Sequence, residues 1–142
     1  MNASICDNHL PCKWSLWVLL SFCLSEPVLA GSDGLIGHRW FWKEVQGHEI
    51  EANSAYLEFS ESGRISGSSG CNRMMGDYEI NKAQISFKGL ASTRMFCEGT
   101  RGEEERLILK ALEETQSWKL DRNALNLLQA GGKPIGRLEN RP

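Results

Sequence analysis

Residues 67–78 read GSSGCNRMMGDY. A cysteine sits in a glycine-rich polar turn, and an apolar-polar alternation begins directly after it. Cys71 has three readings: a nucleophile, a metal ligand or half of a crosslink. The flanking segments decide between them. Upstream, AYLEFS alternates, with Tyr56, Leu57 and Phe59 as its apolar members; ESGR turns the chain, with Gly63 placed for positive φ, and RISGSSG returns it. Residues 55–67 therefore read as a β-hairpin. Downstream, GDYEINKAQISFKGL gives a second hairpin, with Tyr78 and Ile80, a turn at Asn81-Lys82, then Ile85 and Phe87. Cys71 is thus expected at a junction between antiparallel strands.

The compartment bears on its chemistry. Residues 14–24, WSLWVLLSFCL, are mostly apolar, follow Lys13, and lead into SEPVLA with Val28 and Ala30 at the small-residue positions that precede cleavage. This is the pattern of a secretory signal peptide over residues 1–30. The run is short for a membrane span. Phe22 before Cys23 does not suit lipid modification, which takes a small residue there. Cys6, Cys12 and Cys23 fall in this leader, so the expected mature chain keeps two cysteines, Cys71 and Cys97. An even number in an exported domain points to one disulfide, Cys71–Cys97. Without Lys13, Asp7 and Glu26 the chain holds 15 basic and 16 acidic residues and no basic run. That balance leaves no electrostatic footprint for nucleic acid.

The rest of the chain completes the fold class. Residues 31–37, GSDGLIG, read as a flexible linker, and the domain is expected over 38–142. HRWFWKEV puts Trp40 and Trp42 on one strand face and Phe41 on the other. STRMFC, residues 92–97, reads as another short strand. Thr100 and Glu103 form a capping box, and Leu107, Ile108, Ala111 and Leu112 recur at helical spacing. One helix is expected at about 102–115, with Glu103, Glu104 and Glu105 in a solvated first turn and Lys110 facing Glu114. SWKLD, NALNLLQ and PIGRLE then form a closing meander. One helix after short antiparallel strands gives an α+β domain, a small antiparallel sheet forming an open, cracked barrel.

Three functional classes compete for these residues. A thiol enzyme using Cys71 or Cys97 needs a base and a positive environment; Arg73 and Arg94 supply charge, but nothing local marks His38 or His48 as a partner. A metal site calls for closely spaced Cys or His pairs, and none occurs. No phosphate loop, catalytic triad or cofactor motif is present. A structural crosslink needs only export and geometry. Asn72 is expected to bond local backbone, and Arg73 to do the same or to pair with Asp77; Met74, Met75, Met95 and Phe96 are expected in the core. An open barrel also has room for a small apolar ligand, but Ala111 lets the helix approach closely, so a filled interior is expected.

Taken in order, ISGSSGCNRMMGDYEI, ISFKGLASTRMFC, the acidic helix and WKLDRNALNLL resemble the META domain of the heat-shock protein HslJ family. The family's Gly-Cys-Asn turn corresponds to Gly70, Cys71 and Asn72, its Thr-x-Met-x-Cys strand to Thr93, Met95 and Cys97, and its late L-x-L hairpin to Leu125 and Leu127. The resemblance spans about residues 38–139. It implies a small antiparallel β fold with one helix, exported to the bacterial envelope, with no established enzymatic activity and no cofactor. It further implies a link to heat stress and novobiocin tolerance. The expected function is therefore a non-enzymatic domain of the periplasm or cell surface, acting by contact with an envelope protein or lipid.

Overall fold

A computed structural model describes residues 32–141; the expected leader, 1–30, lies outside the described residues. Nine strands form one antiparallel sheet: β1 (Arg39–Val45), β2 (His48–Glu49), β3 (Ala55–Phe59), β4 (Arg64–Ser69), β5 (Arg73–Asn81), β6 (Gln84–Ser92), β7 (Ser117–Asp121), β8 (Ala124–Leu128) and β9 (Pro134–Asn140). Among the described residues a single α-helix, α1 (Thr100–Glu114), stands between β6 and β7. The strands pair in the order β2-β1-β3-β4-β5-β6-β7-β8-β9, and β1 also pairs with β9, which brings the sheet round into a ring. This is the α+β, open barrel-like architecture expected. Among the described residues no helix is long and apolar enough to cross a membrane.

The crack in the ring has a definite place. β7 meets β6 at only one registered pair, Gln84 with Ser117. From there an antiparallel partner runs past the turn that precedes β6, as the bond from the Trp118 N–H to the Ala83 carbonyl shows. The rest of β6 is left without a strand on that side. The connection from β6 to β7 fills this gap: α1 carries the chain back along β6, and also packs on β4, β9 and β1. A helix in contact with strands so far apart in the ring must lie across its opening.

Alternation dictates the core. Trp40, Trp42 and Val45 of β1, Leu57 and Phe59 of β3, Ile65 of β4, Met74 and Tyr78 of β5, and Leu125 and Leu127 of β8 all point inward and are buried. The expected two faces of β1 are present, with Phe41 only half-buried on the outside. Ile108, Ala111 and Leu112 close the interior from the helix side, while Leu107 packs at its margin. The Asn81-Lys82 turn lies one residue later, at Lys82 and Ala83, and Gly63 takes φ 77° in its turn, as expected.

Four local expectations need correction. Residues 93–98 are not a strand, because they leave the sheet to cross toward the helix. The helix begins at Thr100 with Gly99 at its cap position and no side-chain cap, so the Thr100–Glu103 box does not form. Residues 32–37 are packed rather than loose: Ser32–Gly34 make a short 3-10 turn, Leu35 is fully buried, its carbonyl accepts the Trp40 indole N–H at 3.0 Å, and Ile36 bridges to Phe59. Finally, of the four side chains expected in the core near Cys71 and Cys97, only Met74 is there. Met75 faces outward on β5, and Met95 and Phe96 stand on the crossing segment at 61% and 88% exposure.

Candidate functional site

Cys71 lies in the turn between β4 and β5, and Cys97 on the segment between β6 and α1. They are joined as a disulfide with their α-carbons 6.2 Å apart, within the roughly 7 Å that a bridge spans without backbone movement. Gly70, just before, has φ 94°, and a β-carbon there would strike the Ala52 side chain. The tight entry to Cys71 therefore requires glycine.

Asn72 is the centre of the site. The expectation that it bonds local backbone is corrected for the side chain: its amide reaches across to the crossing segment and the helix. It is 3% exposed. Its Oδ1 accepts from the Thr93 hydroxyl and the Met95 N–H, both at 2.8 Å. Its Nδ2 donates to Glu105 Oε2 at 2.7 Å and to the Met95 carbonyl at 3.2 Å, and lies 3.2 Å from Cys97 Sγ. Two acceptor positions and two donor hydrogens are the whole capacity of an asparagine side chain. Asn72 uses all of it to tie the β4–β5 turn, residues 93–95 and the first turns of α1 together. The Asn72 N–H in turn donates to the Ser69 hydroxyl at 3.0 Å.

The remaining residues singled out in the sequence fall around this centre. Thr93 Oγ1 also accepts the Arg73 N–H at 3.1 Å, so the hydroxyl is used in both directions. Arg73 contributes backbone only; its side chain is exposed, and no ion pair with Asp77 forms among the described residues. Met95 contributes its backbone to Asn72 and leaves its side chain in solvent.

Two residues that matter were missed. Glu105 lies with both cysteine sulfurs, its carboxylate 3.6 Å from Cys97 Sγ. Glu104 is 6% exposed; its Oε1 accepts the Glu51 N–H at 2.7 Å and its Oε2 has no partner among the described residues. The three glutamates are therefore not a solvated turn: two of them pin the helix start to the β4–β5 turn and to the segment before β3. The signal was present. Counting back three and four from Ile108 reaches Glu105 and Glu104, so the buried face continues one turn toward the N-terminus.

Replacing Asn72 with Ala strands the Thr93 hydroxyl, the Met95 amide and the Glu105 carboxylate at once. Part of the cluster is wet, so water replaces some of these bonds. The expected loss is about 2–3 kcal/mol in urea unfolding, against about 1 kcal/mol for one ordinary hydrogen bond. A loss below that single-bond figure would show that Asn72 is not the tie.

A second candidate is a surface cleft of about 610 Å³ bordered by His38, Arg39, Phe41, Ser60, Ser66 and Arg141. Its cations are engaged: Arg39 pairs with Glu58 at 2.6 Å and lies 4.3 Å over the Tyr56 ring, and Arg141 lies 4.5 Å over Phe41. An anionic ligand there would have to compete with these partners.

Comparison with known proteins identifies the family and supports the fold. The META domain family model matches residues 33–142. The heat shock protein HslJ of Escherichia coli K12 is 32% identical over 120 residues, which is 82% of this chain and 85% of HslJ. A protein structure solved by NMR superimposes with a TM-score of 0.62 at 30% identity, covering 75% of this chain and 92% of the other. A Burkholderia xenovorans protein, also solved by NMR, gives 0.62 at 27% identity over 79% and 87% of the two chains. A DUF4847 protein of Bacteroides vulgatus, at 13% identity and a TM-score of 0.55, shares the fold alone. With a family model that covers the whole described domain and a relative that matches most of its length, the chain belongs to the META domain family.

Proposed function

We propose that this chain is a non-enzymatic, exported envelope domain that supports tolerance of heat and of novobiocin by contact with an envelope protein. The observation that carries the reading is the crossing segment. Met95 and Phe96 hold 61% and 88% of their surface in solvent, while the backbone beneath them is fixed by Asn72 on one side and by the disulfide on the other. Ordering is already done, so a partner that covers these side chains gains apolar burial at little entropic cost. Exposed Met and Phe are also the kinds of side chain enriched at protein interfaces.

Other features favour the same reading. A disulfide persists in oxidising compartments, in keeping with export. Both sulfurs are consumed in the bridge, which deprives a thiol-enzyme mechanism of its nucleophile. The side chains beneath α1 occupy the volume an apolar ligand would need. A protein partner is favoured over lipid because a net charge of −2 brings no basic field toward anionic headgroups.

The test is complementation. A strain lacking the gene and carrying the Met95→Ser/Phe96→Ser variant is expected to lose survival under heat and novobiocin. Exported variant levels and melting temperature should match wild type, since these side chains touch no core. Full survival of that strain would refute contact through this segment. Recovery of the protein from the cytoplasmic fraction alone would refute export.

A further inference from the structure

We propose that the reduced form of this domain holds a thiophilic metal ion, Zn²⁺ in the first instance, between Cys71, Cys97 and Glu105. The two sulfurs and a carboxylate oxygen of Glu105 lie within 4.8 Å of one another, and all three residues are half-buried, so an ion reaches them from solvent. These ligands come from three separate places in the fold: the β4–β5 turn, the crossing segment and the second turn of α1. The sequence spacing therefore gave no sign of them.

The geometry suits zinc. Thiolates at about 2.3 Å from a tetrahedral zinc stand roughly 3.7 Å apart. α-Carbons 6.2 Å apart allow this once the sulfurs swing away from each other about their side-chain bonds. The carboxylate needs little rearrangement, because Asn72 Nδ2 already holds Glu105 Oε2 at 2.7 Å. Ligating carboxylates are commonly oriented by such an outer hydrogen bond. Two thiolates and one carboxylate outweigh the charge of a divalent ion by one, and sulfur selects zinc over calcium or magnesium. The fourth position is left to water.

Ion and disulfide exclude each other. A dithiol reductant supplies two electrons and two protons to the Cys71–Cys97 bond and is itself oxidised to a disulfide. The bond breaks to give two thiols. Zn²⁺ then displaces both thiol protons to solvent as the two Zn–S bonds form, so affinity rises with pH. The same knot is thus a crosslink when oxidised and a metal site when reduced.

The test uses the purified protein reduced with a phosphine, desalted without oxygen, and titrated with Co²⁺ or Zn²⁺ alone. One equivalent of Co²⁺ should give a thiolate-to-cobalt band in the near ultraviolet, and Zn²⁺ should displace it. The oxidised protein and Cys71→Ser should give no band. Glu105→Gln keeps an acceptor for Asn72 in place of the carboxylate, so it should still form the disulfide when oxidised. When reduced it should bind Zn²⁺ on the order of tenfold more weakly or worse, the scale that loss of even an outer partner brings. Absence of the cobalt band in reduced wild type would overturn the proposal. So would equal Zn²⁺ affinity in Glu105→Gln, or a reduced chain that unfolds and is not restored by Zn²⁺.

Discussion

Leu112→Ala is expected to lower the unfolding free energy by about 2–5 kcal/mol, the range for removing a fully buried leucine without collapse of the site. Leu112 has no exposed surface and lies on the buried face of α1 with Ile108 and Ala111. Because the helix lies across the ring's opening, the truncation empties volume between helix and sheet that neither element can close without moving. The same change at Leu107, at the margin of that face, should cost less, since its side chain is only partly buried. Urea unfolding of both variants measures the difference. This decides a functional question: a filled interior has no room for an acyl chain. A loss for Leu112→Ala below about 1 kcal/mol, together with displacement of a fluorescent fatty acid bound to the wild type, would instead place a ligand cavity under the helix.

The helix also shows where sequence reasoning succeeded and where it stopped. Periodicity found α1, its apolar stripe and the Lys110–Glu114 pair, which stands at 3.8 Å. Alternation likewise found the hairpins, because each strand has one buried face and a period of two records it directly. These are local patterns read off neighbours in the chain. Closure of the ring by β1 and β9 is not local, and neither is the gap along β6 that the helix fills. Local alternation misled at Met95 and Phe96, because apolar character alone does not say which face a residue takes once the chain leaves the sheet after Ser92; at Met75 alternation holds, since Met74 faces inward and its neighbour must face out.

The candidate site divides in the same way. Cys71, Asn72, Thr93, Met95 and Cys97 were legible as spaced motifs. That Thr93, Met95 and Cys97 all meet the side-chain amide of Asn72 was not, because Asn72 bonds residues 21 to 33 positions away. Glu105 was misread for a specific reason. A run of three glutamates at a helix start is ordinarily explained by the dipole and by solvent, and that explanation was applied to the whole run. Helical spacing back from Ile108 separates Glu104 and Glu105, which turn inward to Glu51 and Asn72, from Glu103, which is exposed and faces Arg106 at 3.8 Å.

Removing the crosslink should have the other large effect. Cys71 and Cys97 are 26 residues apart, and a loop of that size corresponds to about 3.5 kcal/mol in the chain-entropy model. The double variant Cys71→Ala/Cys97→Ala is therefore expected to lose about 2–4 kcal/mol in urea unfolding. Wild type reduced by phosphine in the presence of a chelator should lose a similar amount. Because the effect acts chiefly on the unfolded chain, the dependence on urea should steepen as well: an uncrosslinked chain exposes more surface. The native knot is not expected to fall apart, since the Asn72 bonds to Thr93, Met95 and Glu105 involve no sulfur bond. This separates two accounts of the site. If the bridge holds the crossing segment in place, the double variant should also lose the heat and novobiocin tolerance that depends on Met95 and Phe96, even at temperatures where it is folded. If Asn72 holds the segment, tolerance should survive in the double variant and fail in Asn72→Ala. The number of bonds favours the second outcome, with the disulfide setting stability and the asparagine setting the shape of the contact surface. A double variant within about 0.5 kcal/mol of wild type would show that the bridge does not set stability.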